Sequence, residues 1–247
     1  MEMQALKREV VRFSQRIWQR GWVANHDGNI TVRLGGNRIL ATPTAFGKGD
    51  IREDDILVLD LETGKVLAGR HRPFSELYMH LEYYNSRSDV QAVIHAHPPT
   101  AGSFSIAGIE IETRIVAEAV VSLGDRIPLA PAVMPGSLES KQQIRSLGTL
   151  YDVIHLGNHG LVSCGVDLEM AYLRMELAEH LANMQKGAME LGRLELIPDE
   201  WVDELLAKRT KAGLGPEARK TLVGASIKDL SEIPAEAIIA SLVKGMK

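Results

Sequence analysis

His95 and His97 stand one residue apart in Val93-Ile94-His95-Ala96-His97-Pro98-Pro99, a stretch that reads as a buried strand running into a turn. Successive side chains on a strand point to opposite faces, so residues two apart share a face about 6.6–7 Å apart. Both imidazoles therefore aim the same way, and Ala96 turns to the other side. Two neighbouring core histidines would each need hydrogen-bond partners away from water, a costly demand. A single metal ion satisfies both. The pair alone is a weak signal, which third and fourth ligands would strengthen.

The chain offers His159 in Leu156-Gly157-Asn158-His159-Gly160, where a strand breaks at a turn. Glycines on both sides let the backbone turn tightly and hold an imidazole at the edge of a cavity. His155 lies four residues earlier and can share that face, so spacing does not choose between the two. Glu76 begins the helix that leads into the histidine strand. A carboxylate beside an open coordination position can act as a general base. Its bland reading is a first-turn acid favoured by the helix dipole. Three imidazoles with one position open is the arrangement of catalytic rather than structural zinc. His71, His80 and His180 sit among charged or helical surroundings and read as surface or cap residues.

These residues need a scaffold, and periodicity supplies one. Leu6, Val10, Phe13 and Ile17 mark an amphipathic N-terminal helix that ends near Gly21 and packs on the domain's own sheet. ITVRL and RILAT flank Gly35-Gly36-Asn37, and ILVLD and KVLAG flank Glu62-Thr63-Gly64, so each set reads as a hairpin. A helix is expected from Pro73 to about Arg87, followed by the histidine strand and a short helix after the prolines. SLESKQQIRSLGTL reads as a helix with Ser137 as N-cap, and DVIHL and LVSC bracket GNHG. A long helix follows and closes at Gly192. Early antiparallel hairpins with later helices against them predict an α/β fold, an α/β/α sandwich around a largely antiparallel sheet. Residues 1–193 read as the catalytic domain. Residues 194–247 read as a helical C-terminal extension with two short helical patterns.

Composition sets the outer bounds. Apolar residues make up 45% and charged residues 24%, an ordinary globular balance. A net charge of −4 and the lack of a long basic run argue against nucleic acid. No uninterrupted apolar run exceeds four residues, so neither a membrane span nor a signal-peptide core is expected. The lone Cys164 suits a reducing cytoplasm.

In order along the chain come Gly28-Asn29-Ile30-Thr31, Thr42-Pro43-Thr44, Asp54-Asp55-Ile56, Pro73-Phe74-Ser75-Glu76 with His80, Ala92 to His97, and Asn158-His159-Gly160. In these motifs the chain resembles the class II aldolase/adducin family, over roughly three quarters of its length from about Lys7 to Gly192. The resemblance implies a divalent ion, zinc first with manganese, cobalt or magnesium as alternatives. It assigns the ligands to His95, His97 and His159, and so takes His159 over His155. It makes Glu76 the acid/base and places a substrate phosphate near Gly28, Asn29, Thr44 and Ser75. It implies a homotetramer with active sites at subunit interfaces, acting on a small-molecule substrate.

The implied reaction is a lyase reaction: aldol or retro-aldol cleavage of a small hydroxy-carbonyl compound through a metal-stabilised enediolate. Three departures matter. Phe74 stands where the family carries a serine, Ala45 stands where it carries a glycine, and no tyrosine lies between Tyr84 and Tyr151 to act as the neighbouring subunit's proton donor. A metal-dependent decarboxylase of an aromatic or 3-oxo acid is the alternative, in which Phe74 faces the substrate. The bland reading of Phe74 is core packing. A non-catalytic, adducin-like scaffold is a further alternative, against which the intact ligand set argues.

Overall fold

The structure is a computed structural model that describes residues 3–223. The helical pattern read in DLSEIPAEAIIASLVKGMK lies outside the described residues. The strands are β1 Asn29–Arg33, β2 Arg38–Ala41, β3 Leu57–Asp60, β4 Val66–Ala68, β5 Ala92–Ala96, β6 Leu129–Ala130, β7 Val153–Leu156 and β8 Leu161–Gly165. They form one sheet in the order β4-β3-β2-β1-β5-β8-β7-β6. Every neighbouring pair is antiparallel except β6 with β7.

Helices cover both faces: α1 Met3–Gln19, α2 Leu77–Ser86, α3 Pro99–Ala107, α4 Ala117–Leu123, α5 Leu138–Gly148, α6 Leu168–Glu190, α7 Asp199–Lys211 and α8 Gly215–Val223. On one face Leu6, Val10, Phe13 and Ile17 of α1 and Tyr172 and Met175 of α6 pack against Ile30, Val32 and Ile94. On the other, Leu77 and Tyr83 of α2 and Ile144 and Leu147 of α5 pack against Ile39, Leu57, Val93 and Val162. The architecture is therefore a three-layer α/β/α sandwich around a mostly antiparallel sheet. Each large apolar side chain buried this way contributes about 1.5–3 kcal/mol, and the stripe read along α1 is the one that is buried.

β5 lies at the centre, with all five of its residues buried. A strand covered on both faces reads as a continuous apolar run, as this one does. Its alternation sends Ala92, Ile94 and Ala96 to the α1/α6 side and Val93 to the α2/α5 side. His95 follows Val93 in that alternation and so faces the layer that contains α2.

Three elements differ from the expected pattern. α2 starts at Leu77 rather than Pro73, because Pro73 makes an antiparallel bridge to Pro43 and keeps residues 72–74 extended. α4 and the two-residue β6 were not expected; both are too short to carry a periodic signal.

Beyond α6 the chain returns to the sandwich. Ile197 donates its backbone N–H to Arg114 at 2.8 Å. Arg209 of α7 and Arg219 of α8 then reach the buried carboxylate of Asp152, at 2.9 and 3.1 Å. Arg87 at the end of α2 (2.8 Å) and Arg174 of α6 (3.0 Å) complete the set of arginines around it. Arg87 also pairs with Asp89 at 2.7 Å. Burial alone would raise the Asp152 pKa, but the surrounding guanidiniums outweigh it and hold the carboxyl well below its ordinary range.

Candidate metal centre

The end of β5, the β7–β8 turn and the start of α2 meet at one point. There the ligand nitrogens of His95, His97 and His159 all lie within 4.8 Å of one another. The rings stand edge to face, with centroids 4.7–5.0 Å apart. Glu76 caps the group: its Oε1 is 2.9 Å from His159 Nε2 and its Oε2 is 3.5 Å from His95 Nε2.

The backbone sets this geometry. His159 follows Asn158, whose φ of 52° makes the tight turn between β7 and β8. Gly160 comes next because nothing larger fits: a Cβ there would lie 2.4 Å from the Ala96 oxygen and 2.6 Å from His97 Cδ2. His97 is held by its own N–H, which donates to the Trp22 carbonyl at 2.8 Å. Behind it, the Glu179 carboxylate accepts from the N–H groups of Thr100 and Ala101, pinning the start of α3 to α6.

The donor set fits a cation. His95 Nδ1 donates to the Leu161 carbonyl at 2.9 Å, so its Nε2 carries the lone pair. Burial drives the His95 pKa down to about 3, which keeps the ring neutral. His97 presents Nδ1 to Asp27 Oδ2 at 3.5 Å. A carboxylate can only accept, so the proton lies on that nitrogen and Nε2 is again bare. The two bare nitrogens face each other at 3.0 Å. Two acceptors cannot satisfy one another, whereas a cation between them and His159 satisfies both.

His155 does not join this group. It is buried on β7 and bonds Nε2 to the Ala101 carbonyl at 2.8 Å, and its pKa is lowered by burial to about 4. Glu76 is half-buried. Desolvation pushes its carboxyl up, but the imidazoles of His95 and His159 and the amide of Asn29 outweigh that and hold it well below the ordinary carboxylate range.

The other expected residues lie on adjoining segments. Gly28 turns with φ +73° directly under His95, and a Cβ on it would strike Val23 Cγ1 at 2.5 Å. Asn29 pairs with His95 across β1 and β5 and donates from Nδ2 to Glu76 Oε2 at 3.1 Å. Thr44 is half-buried and donates its N–H to the Arg72 carbonyl at 3.0 Å, and Ser75 is exposed beside Glu76.

Phe74 packs in the core against His80, with ring centroids 5.0 Å apart, so packing and not substrate contact is its place. His80 is no surface or cap residue. It is fully buried and bonds Asn29 and Thr31 at 2.6 and 2.8 Å. The helical spacing Glu76–His80–Tyr84 carried that signal, because residues four apart share a helix face.

Asp27 is a further residue of the site that no sequence motif marks, and Lys48 holds its loop. Lys48 is almost fully buried and donates to the carbonyls of His26 and Phe46, which fixes the loop that carries Asp27. Burial lowers its pKa to about 8, against the pull of Asp27.

The chain belongs to the family described as Class II Aldolase and Adducin N-terminal domain, matched over residues 8–186. It is 33% identical to an L-fuculose phosphate aldolase of Methanocaldococcus jannaschii, covering 72% of this chain and 94% of that one. It is 29% identical to a 3-oxo-tetronate 4-phosphate decarboxylase of Escherichia coli, covering 73% of this chain and 86% of the other. A solved L-fuculose 1-phosphate aldolase superposes with a TM-score of 0.75 at 25% identity, over 82% of this chain and 94% of its own. No helix among the described residues is long and apolar enough to cross a membrane.

Proposed function

We propose that this chain is a divalent-metal-dependent carbon–carbon lyase that cleaves a small phosphorylated hydroxy-carbonyl compound by a retro-aldol step. His95, His97 and His159 would hold the ion, zinc by preference for three nitrogen donors. The observation that carries the reading is the 2.9 Å contact of Glu76 with His159, which sets an ionised base against a cluster of metal-binding nitrogens. A divalent ion held there supplies positive charge to the oxygens of a hydroxy-carbonyl compound, undiminished because its ligands are neutral.

Glu76 accepts the hydroxyl proton as the carbon–carbon bond breaks and the aldehyde leaves. The bond's electron pair passes toward the carbonyl of the other fragment, and Glu76 returns the proton to that fragment's carbon. The backbone at Gly28 and the side chains of Asn29, Thr44 and Ser75 are the proposed substrate contacts. The assembly in this reading is a homotetramer, which light scattering of the purified chain checks.

The Escherichia coli relative supports a second reading, decarboxylation at the same site. Loss of carbon dioxide leaves the same kind of electron pair beside a carbonyl. That relative is named for a phosphorylated compound, as is the aldolase relative, so phosphate binding alone does not separate the two readings.

Incubating the zinc-loaded protein with ketose 1-phosphates and with phosphorylated 3-oxo acids separates them, by aldehyde release or by carbon dioxide release. Glu76→Gln should lower turnover in either case by about 10²–10⁴-fold. A variant that retains more than about a tenth of wild-type turnover would place the base elsewhere.

A further inference from the structure

We infer that His80 is a positioning residue for the base. It acts through Asn29 at the end of a one-directional chain of hydrogen bonds, Tyr84–Thr31–His80–Asn29–Glu76. This rests on the proposed role of Glu76. The links are 2.9 Å from Tyr84 Oη to Thr31 Oγ1, 2.8 Å from Thr31 Oγ1 to His80 Nδ1, 2.6 Å from His80 Nε2 to Asn29 Oδ1, and 3.1 Å from Asn29 Nδ2 to Glu76 Oε2.

The direction of every proton follows from the carboxylate at the end. An ionised Glu76 can only accept, so the Asn29 amide turns its nitrogen toward it and its oxygen toward His80. His80 must then donate from Nε2, which leaves Nδ1 bare. Thr31 donates to Nδ1, and the Thr31 oxygen accepts from the Tyr84 hydroxyl. Each link has one donor and one acceptor, and none of the four residues behind Glu76 is exposed. A chain of bonds that all point the same way polarises along its length. It ends as a donor aimed at the one oxygen of Glu76 that His159 does not take.

Asn29 keeps a second amide hydrogen, so this duty does not bar it from donating to a substrate oxygen as well. Phe74 packs edge-on against the His80 ring and fixes its plane. The residue that fills the family's serine position therefore contacts the chain that holds the base.

The test compares His80→Phe and His80→Gln in the full-length, zinc-loaded protein. Gln can place an amide N–H where Nε2–H now lies, whereas Phe cannot. His80→Phe should lower kcat by about 10- to 100-fold, the range for groups that orient an active residue. KM should stay within about threefold, with one zinc retained per chain, and His80→Gln should recover most of the loss. An unchanged kcat in His80→Phe while Glu76→Gln is impaired would overturn this inference alone. An unimpaired Glu76→Gln would overturn the reading of the site instead.

Should His80→Phe fail to fold, nitrogen-15 spectra of the wild-type imidazoles decide. A neutral His80 protonated on Nε2 supports the chain of bonds. A proton on Nδ1 reverses its direction and overturns it.

Discussion

Helix α2 starts at a half-buried polar cluster and ends at a fully buried one, and the two are built in opposite ways. At its end, Asp152 accepts from Arg87, Arg174, Arg209 and Arg219, and those guanidiniums also donate to carbonyls of residues 121, 122, 148–151 and 164. At its start, the bare nitrogens of His95 and His97 face each other with Glu76 and His159 beside them. The first cluster pairs its charges within the chain, with Arg174 Nε left as its one buried side-chain nitrogen without a partner, and ties α2, α6, α7 and α8 to the sheet. The second leaves two bare nitrogens facing each other, an arrangement that could hold a cation. Buried polarity that satisfies itself supports the fold, and buried polarity that needs a ligand is available for chemistry.

The largest effects should come from exchanging these properties. His95→Ala, His97→Ala and His159→Ala should each abolish zinc retention after gel filtration, measured by elemental analysis, while His155→Ala retains about one ion per chain. Zinc retained in His159→Ala and lost in His155→Ala would place the third ligand on the wrong histidine. At the other end, Asp152→Asn leaves the arginines without their shared charge. Breaking such a pair from one side costs about 3–5 kcal/mol, to be read from denaturant unfolding.

Turnover per folded Asp152→Asn molecule should stay within about twofold, because no substrate contact is lost. The stabilisation by Asp152 also has a pH sense. Its folded pKa is depressed, so the contribution is present above the ordinary carboxylate range and is lost as pH falls through the acid range toward the folded value. A variant as stable as wild type at neutral pH would break the contrast between the two ends.

A smaller effect is expected at Asp27, which orients His97 without entering the ligand set. Asp27→Asn should weaken zinc by about 10- to 100-fold in a chelator competition, with folding stability nearly unchanged. Equal zinc affinity would mean that Trp22, through its carbonyl, orients His97 unaided.

How far each end was legible follows from the same contrast. The proposed ligand pair His95 and His97 stands out by type and spacing, and the apolar stripes of α1 and the hairpin turns follow from periods of 3.6 and 2. His155 and His159 could not be told apart by spacing, because the turn at Asn158 sends their rings to different places. Asp27 and Lys48 carry no periodic signal, since loop geometry places them. His80 is legible four residues after Glu76 on one helix face, but a lone histidine in a helix reads equally as a surface residue. The arginines around Asp152 come from positions 87, 174, 209 and 219, and only the folded chain brings them together.

The smallest predicted effect concerns backbone strain at the metal end. Four non-glycine residues among those described have positive φ, and three of them, Asn25, Ala45 and Asn158, lie within three residues of Gly28, Thr44 or His159 among the proposed site residues. Asparagine tolerates this conformation, whereas alanine at φ 62° brings its Cβ close to the following carbonyl, at a cost of roughly 1–2 kcal/mol. Ala45 stands where the family resemblance places a glycine. Ala45→Gly would remove the strain but add freedom to the unfolded chain, an opposing effect of about 0.4–1 kcal/mol. The balance is a gain between zero and about 1.6 kcal/mol, or a rise of up to roughly 6 °C in Tm for a chain of this size. An increase with unchanged KM would show strain that serves no contact with substrate. An increase with a raised KM for phosphorylated substrates would show that the methyl group stiffens the 44–48 loop for binding, as strain at a functional site predicts. A fall in Tm would mean that Ala45 is not strained, and the concentration of strain at the metal end would then rest on asparagines alone.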